Sequence, residues 1–217
     1  MADQLYLSLW FPNFRLEALP EKLTCVLRQF AIIGGQKRVT AAAAYPLGWS
    51  ESPTWQRLFV NDERSEQTAD SLIENAVAEA TEQLHDDMAY EFEIKWQLWR
   101  PELAEVELGV SLDPTWKLEA ATVKIIGFGP EFDDAGFEQN GHIRIDFGLD
   151  TPWLADQLDE DAPLDELAQK HIQENVEKLL AFTLLCEKHC GISSRLLWTE
   201  SGEPLAEKLI ARLQRLN

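Results

Sequence analysis

Residues 88–98 alternate between apolar and polar side chains, and this run constrains the fold most. From Met88 to Leu98, every second residue is apolar, and mostly charged residues lie between them. An alternation of period two places one set of side chains on each face of a strand, so this segment predicts a half-buried strand. Residues 4–11 and 142–149 show the same alternation and predict strands of the same kind.

Helical periodicity separates the strands of the first half. The elements of this half are expected at 4–11, 15–31, 38–45, 54–61, 65–85 and 88–98. Pro20 favours a helix start near residue 19, and Ser65 is the expected N-cap of the next helix. The order βαββαβ predicts a ferredoxin-like unit. The opening strand Leu5–Phe11, followed by Pro12 and a helix, also resembles the start of ferredoxin-like domains.

The second half predicts a β-meander and then a long C-terminal helix. Strands are expected at 104–112, 116–128, 142–149 and 194–199, and helices at 163–190 and 203–216. The connections between the meander strands are short or looped, which predicts a mainly antiparallel sheet. The apolar positions of 116–128 change phase near Ala120, which predicts a β-bulge. We therefore expect a single α+β domain over 1–217, with possible halves at 1–99 and 100–217.

Negative charge is concentrated in the middle of the chain. Residues 61–170 contain 28 acidic and 7 basic side chains. Residues 1–60 contain 4 acidic and 6 basic side chains, and residues 171–217 contain 6 of each. A field of this sign repels nucleic acid and anionic lipid and attracts basic proteins. The predicted partner is therefore a basic protein surface or a second copy of the chain, with no direct nucleic-acid binding and no membrane.

The helix at 65–85 is the first candidate for such a contact. Its outer face contains no lysine and five acidic residues, namely Glu66, Asp70, Glu74, Glu79 and Glu82. Lysines four residues away would stabilise the helix, so their omission makes this face a candidate for docking a basic partner. The alternative is a solvated face, which is the usual role of a run of charges. Trp10 and Trp99 are further binding candidates, because they lie opposite the apolar side of their strands. The alternative is that the C-terminal helices cover that face.

The strand at 142–149 carries the only candidate catalytic residues. His142, Arg144 and Asp146 alternate along it and are expected on one face, where they would suit general acid–base chemistry. The alternative is the solvated face of a half-buried strand. Cys186, His189 and Cys190 share one helix face, but a structural zinc site needs four ligands and the two cysteines continue the apolar stripe. No metal and no cofactor is therefore predicted.

The remaining expectations concern compartment and function. Three cysteines cannot pair completely, so no disulfide framework is expected, and no signal peptide or spanning apolar run is visible. A reducing cytoplasm is the predicted compartment. The leading hypothesis is a non-enzymatic binding protein that docks a basic partner through its acidic surface. The alternative is a small-ligand-binding protein or enzyme with an aromatic-lined pocket reached by His142, Arg144 and Asp146.

Overall fold

The chain folds around one antiparallel sheet of seven strands with four helices, in a computed structural model that describes residues 2–59, 68–102, 115–133, 140–154 and 166–202. In chain order the strands are β1 (Gln4–Trp10), β2 (Gly35–Pro46), β3 (Trp55–Leu58), β4 (Met88–Glu102), β5 (Thr115–Phe128), β6 (Ile143–Leu149) and β7 (Ser194–Thr199). The helices are α1 (Leu19–Ile33), which follows a 3-10 turn at Leu16–Ala18, α2 (Ala69–Ala80), α3 (Thr151–Leu154) and α4 (Glu166–His189). In space the strands lie in the order β3, β2, β4, β5, β6, β1, β7.

The predicted α+β architecture with an antiparallel sheet is confirmed, whereas the ferredoxin-like pairing is not. The elements of the first half follow the order βαββαβ. However, β1 pairs with β6 and β7, and β4 lies between β2 and β5. A ferredoxin-like unit would pair β1 with strands of its own half. The two halves of the sequence therefore share one sheet.

The main hydrophobic core lies between one face of the sheet and the helices. All four helices contribute side chains to this core, together with alternate residues of the strands. Trp96 of β4 lies at its centre, with ring centroids 5.2 Å from Phe30 of α1, 5.3 Å from Phe147 of β6 and 5.8 Å from Trp153 of α3. Aromatic pairs of this kind each add about 1 kcal/mol beyond the area that they bury.

The β-bulge predicted near Ala120 is wrong. Strands β4 and β5 pair without a register shift from Ala89 opposite Phe128 to Glu102 opposite Thr115. The helices contact β5 near Gly127, whereas residues 117–120 are exposed. Because neither face of β5 is buried at 117–120, the apolar pattern there carries no information about register.

Three cysteines predicted no disulfide framework, and the structure has one disulfide and one free thiol. Cys25 of α1 and Cys190, just after α4, form a disulfide with their Cα atoms 5.7 Å apart. The two helices pack side by side, with the rings of Phe30 and Phe182 in contact at 5.2 Å. Cys186 remains a buried thiol, and burial raises its pKa to about 12. Two of the three cysteines thus form a crosslink, and the third remains a free thiol.

Several predicted elements lie outside the described residues. These are the strand at 104–112, the helix at 203–216 and the N-cap Ser65. Thr68 caps the described part of α2, where its Oγ1 accepts a hydrogen bond from the Ser71 N–H at 3.2 Å. Of the helices that the structure describes, none has the length and apolar character that crossing a membrane requires.

Candidate binding site on the second sheet face

The sheet face opposite the main core, here called the second face, carries polar and aromatic side chains. The ammonium nitrogen of Lys124, on β5, is 3.1 Å from the carboxylate of Glu91, on β4. The Glu91 side chain is only 8% exposed. Burial raises the pKa of Glu91, and the positive charge of Lys124 opposes that shift. A small second cluster of buried residues lies beside this ion pair and consists of Ala89, Ile126, Phe128 and Phe132. The second face therefore combines fixed charges with a local apolar patch.

Arg144 is surrounded by three aromatic rings on the second face. Its guanidinium carbon lies 5.2 Å from the ring centres of Tyr6 and Phe128 and 5.8 Å from that of Trp49. Cation–π contacts of this kind contribute about 0.5–2 kcal/mol each, more when water is excluded. Nη1 of Arg144 donates to Asn140 Oδ1 at 3.1 Å, whereas its buried Nε has no hydrogen-bond partner among the described residues. We call Tyr6, Trp49, Phe128 and Arg144 the arginine–aromatic cluster.

Trp198 extends this cluster across β1 to β7. Its ring centroid is 4.6 Å from that of Tyr6, and its indole N–H donates to the Ser8 hydroxyl at 3.0 Å. Register places Tyr6 opposite Trp198 on one side and opposite Asp146 on the other. The aromatic surface is therefore held by backbone pairing of three adjacent strands as well as by ring contacts.

The loop after β2 holds Trp49 over the edge of the second face in a strained conformation. Leu47 has φ +59°, and Asp133 on the neighbouring loop has φ +53°. The Asp133 N–H donates to the Leu47 carbonyl oxygen at 2.9 Å, so the two left-handed residues are locked together. Such conformations cost about 1–2 kcal/mol for a side chain like leucine. Leu47 is nevertheless 61% exposed, so no burial of its own side chain offsets this cost.

Close backbone contacts fix the position of the loop after β5, which packs against Trp49. The Gly129 N–H donates to the Met88 carbonyl oxygen at 2.7 Å, and a Cβ added to Gly129 would lie 2.3 Å from the Asp86 carbonyl oxygen. Only glycine fits this position without moving the backbone. The loop brings Phe132 against Trp49, with ring centroids 5.2 Å apart and the planes at 81°. Trp49 itself remains 37% exposed.

The three candidate catalytic residues make different contacts. His142 precedes β6, and its Nδ1 accepts a hydrogen bond from the Phe11 N–H at 3.0 Å. Its ring stacks on Phe14 with centroids 4.1 Å apart, and burial lowers its pKa. Arg144 lies in the arginine–aromatic cluster. Asp146 accepts hydrogen bonds from the Gln4 side chain at 3.0 Å and from the Gly148 N–H at 2.8 Å.

The acidic residues of α2 are paired with arginines of other elements. Arg28 of α1 forms ion pairs with Glu74 and, at 3.7 Å, with Asp70. Arg57 of β3 forms an ion pair with Glu79. These pairs are partly exposed, so each adds only about 0–1 kcal/mol of stability, but they neutralise much of the charge on this helix face. Glu82 lies just after α2, and Glu66 lies outside the described residues.

The two tryptophans predicted as binding residues have different environments. The Trp99 ring lies 3.9 Å from His171 of α4, and its indole N–H donates to the Glu174 carboxylate at 2.6 Å. Trp99 is therefore covered by the long helix. Trp10 ends β1 on the second face, where its carbonyl oxygen accepts hydrogen bonds from the Ser193 backbone and hydroxyl at 2.7 and 3.0 Å.

Sequence reasoning missed Leu47, Trp49 and Phe128 as members of one site. A weak signal was present, because a leucine and a tryptophan flank Gly48 in a loop where polar residues are expected. Within the ranges that the structure describes, no three His, Cys, Asp or Glu side chains are grouped so as to hold a metal ion.

Comparisons with known proteins assign this chain to no family. The chain matches no protein-family model, no curated protein and no solved structure at a significant level. The candidate site therefore rests on the residues of this chain and on their contacts.

Proposed function

We propose that the protein is a non-enzymatic binding protein that docks a basic protein surface on its second face, with the arginine–aromatic cluster at the centre of the contact. The strained, exposed corner of Leu47 and Trp49 carries this proposal. A backbone held at unfavourable φ angles persists only where the surrounding structure enforces it, and such positions concentrate at functional sites. The proposed contact lies on the second face and not on α2, and the proposed partner is still basic, as the charge of the chain predicts.

The residue types in the cluster support protein docking. Tryptophan, tyrosine and arginine are the side chains that most often dominate the binding energy of protein interfaces. In this protein these side chains already contact one another without a partner, because Arg144 lies between Tyr6, Trp49 and Phe128. A rigid surface loses little conformational entropy when a partner binds, which raises affinity.

The charge of the chain supports a basic partner. The formal net charge is −19, and Glu91, Asp133 and Asp146 all lie close enough to interact with Arg144. A basic partner would gain long-range attraction, and its lysine or arginine side chains could lie on the exposed part of the Trp49 ring. An acidic partner or nucleic acid would be repelled by the same field.

The test uses a labelled lysine-rich peptide with regularly spaced leucines and a glutamate-rich peptide of the same length as control. Binding is measured by fluorescence anisotropy, and the contact is located by NMR from the shifts of the tryptophan indole N–H signals. We expect the lysine-rich peptide alone to bind and to move the Trp49 and Trp198 signals. Trp49→Ala should weaken binding at least about tenfold, as for a central interface residue.

The matched control neutralises the α2 surface. The triple variant Glu74→Gln, Glu79→Gln and Glu82→Gln removes three acidic groups far from the cluster in the chain. If the second face is the contact, the affinity of the triple variant stays within about threefold of the wild type at physiological ionic strength, because exposed charges are screened. Equal binding by wild type and Trp49→Ala, or loss of binding in the triple variant alone, would overturn the proposal.

The alternative function, a small-ligand-binding protein or enzyme with an aromatic-lined pocket, has less support. The Nε of Arg144 lies among aromatic rings without a hydrogen-bond partner in the part of the chain that the structure describes, which favours this alternative. However, Nδ1 of His142 accepts a hydrogen bond from the Phe11 backbone N–H and its ring stacks on Phe14, so one of its two ring nitrogens is already engaged. Indole signals of Trp49 that shift with small carboxylates but not with the basic peptide would favour this alternative.

A further inference from the structure

The Cys25–Cys190 disulfide borders a groove on the helix side of the molecule. The groove has a volume of about 550 Å³ and lies between α1 and α2. Its walls include Cys25 and Arg28 from α1 and Val77 and Ala78 from α2. Cys25 therefore borders a space large enough for a small organic thiol.

The two cysteines of this disulfide differ in their exposure to solvent. Cys25 is partly exposed and lines the groove, whereas Cys190 is only 3% exposed. An attacking thiolate must reach the sulfur with which it reacts, so access decides which half of a disulfide is attacked. In this protein access favours Cys25 as the electrophilic sulfur and Cys190 as the leaving group.

We propose that Cys25 is a site of thiol–disulfide exchange with small-molecule thiols that enter through the groove between α1 and α2. The incoming thiolate attacks Sγ of Cys25, and a new S–S bond forms while the bond to Cys190 breaks. Cys190 leaves as a thiolate and takes up a proton from water. The incoming sulfur is oxidised and Cys190 is reduced, so the electrons balance. A second thiol molecule then releases Cys25 as a thiol and leaves with the first as a small-molecule disulfide.

Cys186 does not compete with the external thiol. It lies one helical turn before Cys190, fully buried in the main core. Burial raises the pKa of its thiol to about 12, so the thiolate that exchange requires is scarce at neutral pH. The first product is therefore a mixed disulfide on Cys25, and the crosslink between α1 and α4 is open.

The charges around the groove predict which thiols react fastest. Glu21 and Glu74 line it together with Arg28, and Arg28 is already paired with Glu74. With a chain net charge of −19, the groove favours a thiol that carries an ammonium group over one that carries a sulfonate. Cysteamine should therefore react faster than mercaptoethanesulfonate when both rates are expressed per thiolate, and added salt should reduce the difference.

The experiment treats the oxidised, native protein with cysteamine, quenches the reaction with acid and locates the adduct by peptide mass spectrometry. We expect a rate proportional to the cysteamine concentration and an adduct on Cys25. Ala78→Trp, which fills the groove, should slow exchange at least about tenfold, since access limits the rate. The matched control is Asn75→Trp, at an exposed position of α2 outside the groove, and it should react like the wild type.

Three results would overturn the proposal. These are an adduct on Cys190, a rate independent of thiol concentration, as expected if unfolding must come first, and equal slowing by both tryptophan variants. Circular dichroism checks that the variants fold. The adduct position and the concentration dependence are measured on the wild type, so the proposal remains testable if Ala78→Trp does not fold.

Discussion

Reduction of the Cys25–Cys190 disulfide should lower the free energy of unfolding substantially while leaving the native fold in place. The crosslink joins residues that are 165 positions apart in the chain. A closed loop of that length removes about 17 cal/mol/K of entropy from the unfolded chain, which is about 5 kcal/mol at room temperature. Residual structure in the unfolded chain lowers the effect, so we expect a loss of about 3–5 kcal/mol.

Native packing between the crosslinked helices should survive reduction. Phe30 of α1 and Phe182 of α4 are both fully buried and touch edge to face, and neither contact depends on the sulfur atoms. The loss of stability therefore arises in the unfolded state. The unfolded chain also becomes less compact when the crosslink is opened, so the dependence of the unfolding free energy on urea should steepen.

The assay is urea unfolding of the oxidised and the reduced protein, followed by the fluorescence of buried tryptophans such as Trp96 and Trp153. With a urea dependence of about 2 kcal/mol/M, the midpoint should fall by about 2 M on reduction. Cys186→Ala should keep this shift, and Cys25→Ala with Cys190→Ala should abolish it. A loss below about 1 kcal/mol, with the crosslink verified by mass, would refute the loop-entropy reasoning.

Three further predictions concern single positions. Leu47→Gly should raise the free energy of unfolding by about 1 kcal/mol in thermal or urea denaturation, because glycine adopts φ +59° without strain, and a loss of stability would contradict this. Asn175→Ala should lower the free energy of unfolding by about 3 kcal/mol or more. The fully buried amide of Asn175 accepts a hydrogen bond from the Trp99 backbone N–H and donates to the carbonyl oxygens of Trp99 and Pro152. A loss below about 1 kcal/mol would show that water replaces the amide. Burial lowers the pKa of His142 below its ordinary 6.5, so the unfolded chain binds the proton first and stability should fall as pH decreases through this region. His142→Asn should flatten that part of the stability–pH curve, and an unchanged slope would assign it to another group.

Patterns within single segments predicted the described helices and strands well, because each pattern reports one local environment. The alternation of 88–98 identified β4, since helices cover one face of that strand and leave the other polar. Pro20 placed the start of α1 near Leu19, as the structure has it. The strand expected at 194–199 is β7 with the same bounds.

Pairing between distant segments was not predictable in the same way. Alternation along β1 indicates which side chains are buried but not which strands lie beside it, and β1 pairs with β6 and β7 from the other end of the chain. The cluster around Arg144 needs four segments to meet. Likewise, His142 precedes the first residue of β6 and stacks on Phe14, a contact between distant segments that alternation along the strand does not reveal.

The ion pairs on α2 show that short-range and long-range effects of the acidic residues must be treated separately. Arg28 and Arg57 neutralise part of the charge on this helix face at short range, yet the whole chain keeps a net charge of −19 that acts at long range. Long-range charge mainly sets association rates, whereas buried contacts at the centre of an interface mainly set dissociation rates. With the lysine-rich peptide, the α2 triple variant should therefore slow association in a salt-dependent way, and Trp49→Ala should speed dissociation at any salt concentration. Stopped-flow and dissociation measurements on both variants decide this, because the reverse assignment would place the contact on α2 and leave the strained corner at Leu47 without a role.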